Sequence, residues 1–354
     1  MFNRKIKEIF VLHEYGSPTH YNGLSALCKA NNINLCFREF RFFHLIGSGI
    51  LHGKIHVILK QPLNAYFLLN LLFTKNKTIV LGMHPYDKRL PILRLILRKH
   101  NIYYHTSFTA WSPHEMKKYA KTSNKKINRI KNFIQNDVIH SFAVTQKSKD
   151  SLCSFCGVDK SKVSVVYHSF NIKLQMGKIP EQDTFIYVGR MDKQKGVVEM
   201  CEYFRNNTNL KLTLIGMGDC DNYIHRIVKE CNNIRFLGYI AGLNKISMYY
   251  QQNAFFLLNS KRTSEWEELF GQVIVESMAC GCVPICVNHS GPKEIITSGV
   301  NGFIFEEGKL VSCINNVILK LSINDFLHLR GEAYKRGHEF ESEKIAWRWR
   351  AVLN

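Results

Sequence analysis

Apolar residues along this chain fall in short unbroken runs rather than in alternation with polar ones. "EIFVL" (8–12), "INLCF" (33–37), "KIHVIL" (54–59), "TIVLG" (78–82), "NIYYH" (101–105), "HSFAVT" (140–145) and "KVSVVY" (162–167) follow this pattern. Such runs predict parallel strands covered on both faces, with helices in the stretches between them. "PLNAYFLLNLLF" (62–73) predicts a buried helix, too short to span a bilayer. After Tyr167 the stretch "HSFNIKLQMGKIPEQD" has no period and reads as a linker. A second alternation follows: "TFIYVG" (184–189), "LKLTLIG" (210–216), "NIRFLG" (233–238), "NAFFLLN" (253–259) and "VPICVN" (283–288). The expectation is two doubly wound α/β domains, 1–170 and 171–335, with a cleft between them and a closing helix over 336–354. Trp347 and Trp349 in that last stretch predict a packed rather than a solvated helix.

Ligands of such sheets gather beyond the carboxyl ends of the strands. Two stretches carry suitable chemistry there. In "YVGRMDKQKG" (187–196) a strand ends at Gly189, and Arg190 and Lys195 follow in the loop. A guanidinium fork and an ammonium point charge suit a diphosphate, though a solvated surface turn has the same composition. In "ELFGQVIVESMACGCVP" (268–284) Glu268 and Glu276 stand eight positions apart in almost uncharged sequence. Gly271 predicts a break between them, with Glu268 in a loop and a helix from about Gln272 to Ala279. The amides at that helix start would attract phosphate. "SGPKE" (290–294) repeats the device one strand later.

"GR" followed by "KG", the two glutamates around "FG", "ESMACGCVP", "GPKEII" and "GVNGF", in this order, resemble glycosyltransferase family 4, retaining enzymes with the GT-B fold. The resemblance is strongest over 184–305. It implies two Rossmann-like domains facing a central cleft, with a nucleotide-sugar donor held mainly by the second. It further implies that Arg190 and Lys195 hold the donor diphosphate and that Glu268 contacts sugar hydroxyls. The backbone at Gly189 and the amides of Phe270, Gly271, Gln272 and Val273 would meet sugar and phosphate, and Glu276 the ribose. No metal and no further cofactor is implied. "HTSFTAW" (105–111) is similar to the family's histidine segment, which puts His105 near the anomeric carbon. In the loop "HEYGSPTHYNG" (13–23), where relatives carry adjacent glycines, Gly16 and Gly23 stand apart, and Gly16 is taken for the donor.

Charge then separates the halves. The chain of 354 residues carries +20, and residues 1–170 hold 26 Lys and Arg against 8 Asp and Glu. "RLPILRLILRKH" (89–100) and "EMKKYAKTSNKKINRIKNF" (115–133) concentrate the excess among apolar residues, as surface membrane anchors do. The first domain is therefore expected to face an anionic membrane surface and a lipid-linked oligosaccharide acceptor, in surface polysaccharide biosynthesis, from the cytoplasmic side. The four-residue apolar run near the start is too short for a signal peptide. No nucleic acid is expected as a partner, since the basic cluster offers only Tyr119 and Phe133 for stacking; a basic nucleic-acid-binding protein is the remote alternative. A sugar-nucleotide epimerase or a phosphorylase of the same fold is the alternative. The eleven cysteines show no spacing of a metal site and read as buried thiols.

Overall fold

The computed structural model describes residues 6–51, 53, 55–109, 111, 123–263 and 266–354. It divides into two compact units, 1–169 with 342–354, and 170–341. Each is built on one six-stranded parallel sheet.

In the first unit β1 (Glu8–His13), β2 (Asn34–Glu39), β3 (Thr78–Gly82), β4 (Asn101–Thr106), β5 (Val138–Ala143) and β6 (Val163–Val165) lie in the order 2-1-3-4-5-6. All five residues of β3 are buried, as a central strand covered on both faces requires. In the second unit β7 (Thr184–Val188), β8 (Lys211–Ile215), β9 (Ile234–Phe236), β10 (Phe255–Leu258), β11 (Val283–Val287) and β12 (Phe303–Phe305) run 12-11-10-7-8-9. Each order reverses direction once, between β1 and β3 and between β7 and β10. Loops leaving the two strands at such a point diverge to opposite faces and open a crevice.

The linker after Tyr167 is tied to the second unit by Arg330. Its buried guanidinium donates to the carbonyls of Gly177 (2.8 Å), Lys178 (2.9 Å) and Gly281 (3.2 Å). Three acceptors offset the cost of burying that charge.

The closing segment joins the first unit from Ser342, as a short helix Ser342–Ala346 followed by a 3₁₀ stretch Trp347–Leu353. Residues 336–341 stay with the second unit. Trp349 is buried against Phe142, with ring centroids 4.5 Å apart. A Cβ on Gly23 would come within 2.9 Å of Ile345 and 3.0 Å of Trp349, so the absent side chain lets this segment seat on the helix Asn22–Ala30. Trp347, expected to pack, is instead 53% exposed, with Arg348 and Arg350 over its ring.

Three local expectations fail. "KIHVIL" is no strand: it opens the 19-residue helix Ile55–Phe73. β-Branched residues only weakly favour strands, and no turn separates this run from the next. Nor is that helix buried all round. Its inward face carries Gln61 and Asn64, both hydrogen-bonded to Glu39 (3.0 and 3.3 Å), while a broad apolar face is exposed. The third is β12, missed because three residues make no detectable run.

All eleven cysteines are free, and nine of them are buried. Burial raises the thiols of Cys28, Cys156, Cys201 and Cys280 to about 12, which leaves them inert.

Candidate functional site

The reversal between β7 and β10 gathers the second unit's candidate residues. Tyr187, near the end of β7, donates its hydroxyl to the Arg190 carbonyl (2.7 Å), shaping the turn that follows. A Cβ on Gly216, after β8, would lie 1.8 Å from the Gly189 carbonyl oxygen, so only glycine lets the two loops touch. Arg190 points outward, 62% exposed and paired with Asp192 at 2.7 Å. Lys195 lies in a 3₁₀ turn, Lys193–Lys195, ended by Gly196 at φ +69°. A Cβ there would meet the Asn259 carbonyl oxygen at 2.2 Å. This close contact joins the loop after β7 to the loop after β10.

Across that junction Lys195 Nζ lies 2.7 Å from Glu268 Oε2, and both side chains are mostly buried. The ammonium also sits 4.2 Å from the centroid of the Trp266 ring, a cation–π contact. From the residues alone these two charges had separate duties, one toward phosphate and one toward sugar. The structure makes them partners.

Glu268 is held by its own backbone. Its N–H donates to His289 Nδ1 (3.2 Å), and its carbonyl accepts from Gly291 N–H (3.0 Å). His289 is fully buried, with Nε2 2.9 Å from Glu307 Oε1, so the Nε2 proton goes to that carboxylate. A Cβ on Gly291 would fall 2.4–2.5 Å from backbone atoms of Phe270, which pins the loop before the helix.

Gly271 caps the helix Gln272–Ala279 in the left-handed region (φ +84°), and no side chain caps its amides. The first amides, Gln272 and Val273 among them, therefore begin at an uncapped turn with the macrodipole's positive end. Phe270 is buried with its ring 5.9 Å from that of Phe340, an apolar anchor. Glu276 lies one turn in. It is almost wholly buried, and burial raises its carboxyl to about 7 although a hydrogen bond with Gln272 pulls the other way.

The second proposed helix start does not repeat this geometry. The helix Ser290–Ile295 has six residues, and its first turn is already taken: Ser290 donates its hydroxyl to Glu267 at 2.6 Å. Glu267 also pairs with Arg262 at 3.1 Å. Trp266 stood out in the sequence only as an aromatic beside the motif, while Glu267, His289, Asn259 and Gly291 were not singled out. Their roles are contacts between distant segments, and only "SGPKE" hinted at the last.

His105 and Gly16 belong to the first unit. His105, near the end of β4, is buried, with Nδ1 3.2 Å from the Tyr21 hydroxyl and its ring near those of His168 and Trp349. Its buried Nε2 has no hydrogen-bond partner among the described residues. Burial, then His168, His20 and His13, keep the ring well below the usual imidazole range. It is a neutral core histidine, not an exposed one. Gly16 (φ +80°) leaves β1 at that sheet's reversal, where a Cβ would lie 2.9 Å from Glu39 Oε1. Beside it the buried Glu14 accepts from His84 N–H (2.7 Å), joining the loops after β1 and β3.

Two parallel six-stranded sheets with helices, each with a crevice at its strand reversal, place the chain in the two-domain α/β class of the GT-B fold. Within it, residues 170–338 match the family described as glycosyl transferases group 1. HepE of Anabaena, solved with UDP, superposes with a TM-score of 0.66 at 17% identity, over 96% of this chain and 98% of that one. The lipopolysaccharide outer core galactosyltransferase WaaB, in its apo form, superposes with a TM-score of 0.64 at 17% identity, over 98% and 99%. In Campylobacter jejuni the N-acetylgalactosamine-N,N'-diacetylbacillosaminyl-diphospho-undecaprenol 4-alpha-N-acetylgalactosaminyltransferase is 27% identical over 53% of either chain. The chain spans little more than half the length of the curated relatives it matches first.

Proposed function

We propose that this protein is a retaining glycosyltransferase of the family 4 type. It moves a sugar from a UDP- or GDP-sugar to a lipid-linked glycan in surface polysaccharide biosynthesis, at the cytoplasmic face of a membrane. The observation that carries this is the Lys195–Glu268 pair at the sheet reversal, one turn ahead of an uncapped helix start with Glu276 inside it. The arrangement offers a cation and amides for a diphosphate, a carboxylate for sugar hydroxyls, and a second carboxylate for a ribose. The UDP named for HepE and the diphospho-undecaprenol named for the Campylobacter relative support the donor and acceptor classes.

In this mechanism the donor diphosphate competes for Lys195 and frees Glu268 to grip the sugar. Arg190, exposed in its pair with Asp192, turns onto the same diphosphate. The anomeric carbon–oxygen bond to the diphosphate breaks while the acceptor oxygen bonds to that carbon on the same face. The acceptor proton leaves with the diphosphate. Charge building on the leaving group meets the two cations and the helix amides, the largest contribution such a site can make. For His105 and Gly16, in the first unit, the proposed roles are those that the family resemblance implies. The deciding experiment is a thermal-shift screen of UDP- and GDP-sugars, followed by transfer from the best one to a polyprenyl-diphosphate glycan. An α-linked product from an α-linked donor is expected. An inverted product, or a new free sugar made without acceptor, overturns the reading.

A further inference from the structure

The helix Ile55–Phe73 is apolar on two faces. Its inward face buries Phe67 and Leu71 beside Gln61 and Asn64, while Ile55, Leu59, Leu63, Tyr66, Leu69 and Phe73 are 53–86% exposed. At ~100° per residue these six fall within roughly 120° of one face. The neighbouring helix Phe42–Leu51, in contact with it, ends in the exposed Ile50 and Leu51. Scattered exposed leucines need no explanation, but a continuous stripe along a 19-residue helix does. A soluble helix gains by turning such residues inward and the amides outward.

The charge around the stripe says what covers it. No Asp or Glu occurs between Glu39 and Asp87, nor between Asp87 and Glu115. At the helix's end Asn76 N–H donates to the Lys99 carbonyl (2.9 Å), bringing the exposed Lys75, Arg98 and Lys99 beside Phe73. An apolar face rimmed by cations and free of acids matches the boundary between acyl chains and anionic headgroups. Among the described residues no single helix is long and apolar enough to cross a membrane.

We infer that the first unit inserts this stripe into the acyl region of an anionic bilayer, lying in the membrane plane. This deepens the proposed membrane-facing role from a headgroup attraction to an apolar anchor. It needs neither donor nor acceptor, so its failure and the failure of glycosyl transfer are separately readable.

The test floats the full chain with phosphatidylglycerol–phosphatidylcholine vesicles at low and high salt. Binding that persists at high salt is expected, with Leu59→Gln/Leu63→Gln lowering the persistent partitioning about tenfold. These positions are exposed, so thermal melting should be unchanged. A Tyr66→Trp variant gives an independent readout: its added emission should be quenched by lipids brominated along the acyl chain. Complete release by salt, or no added quenching in bound protein, overturns the proposal. So does a dimer in light scattering that Leu59→Gln/Leu63→Gln dissociates, since a second copy would then cover the stripe.

Discussion

Lys195 and Glu268 form a 2.7 Å ion pair across the strand reversal of the second sheet, although 72 residues separate them in the chain. Two mostly buried charges satisfy each other. Lys195→Ala or Glu268→Ala should each cost about 2.7–4 kcal/mol of transition-state stabilisation, as removed charge-stabilising donors do. Because the pair acts together, the double variant should lose far less than the two single losses added. Comparing kcat/KM in all four proteins checks this, and strictly additive losses would separate the two roles.

Glu276 carries a pH signature. Its carboxyl titrates near 7 when folded, against about 4.3 in an unfolded chain. The folded state therefore holds a proton that the unfolded state has released. Stability should fall as pH rises from about 4.3 through 7 and level off above, by a total of about 3–4 kcal/mol. Glu276→Gln should abolish that slope and be the more stable form at pH 8. A ribose hydroxyl bonded to the ionised carboxylate works in the opposite sense, so nucleotide affinity should rise through pH 7. Calorimetric titration across that range measures it, and a flat profile would remove Glu276 from the donor site.

Gly291→Ala tests the backbone clamp on the donor loop. The new Cβ would overlap Phe270 backbone by more than a flexible side chain could relieve. A loss of roughly 1–3 kcal/mol in stability is expected, together with weaker donor binding from the displaced Phe270–Gly271 turn. Unchanged nucleotide affinity in a melted-down variant would confine the clamp to folding.

His105 has a buried Nε2 with no hydrogen-bond partner among the described residues, a group that costs stability unless it is used. His105→Phe removes the polar atom and keeps an aromatic ring among Tyr21, His168 and Trp349. The melting temperature should hold or rise while kcat falls and the donor KM changes little. Full turnover in this variant would make the histidine purely structural.

If the proposed cations and helix amides carry the diphosphate, metal-independent transfer is the expected outcome. Transfer should continue at an unchanged rate after EDTA treatment and exhaustive dialysis. Restoration of a lost activity by Mg²⁺ or Mn²⁺ would refute it.

The amino-acid sequence alone determined the alternation of strands and helices, because short runs buried on both faces leave an unmistakable apolar signature. It also located the helix Gln272–Ala279 to the residue, since Gly271 and the run "QVIVESMA" mark its start and body. Tertiary structure decided the rest. The contact of Lys195 with Glu268 depends on strand order, which local pattern does not encode. The positions of His289 and Gly291 against the Glu268–Gly271 loop are backbone contacts between distant segments. The helix Ile55–Phe73 shows the limit most clearly: its composition said apolar and therefore buried, yet Glu39 holds Gln61 and Asn64 inward beside Phe67 and Leu71, and Leu59, Leu63 and Leu69 stay outside. Hydrophobicity states what a face prefers, and only packing against particular neighbours decides which face meets them.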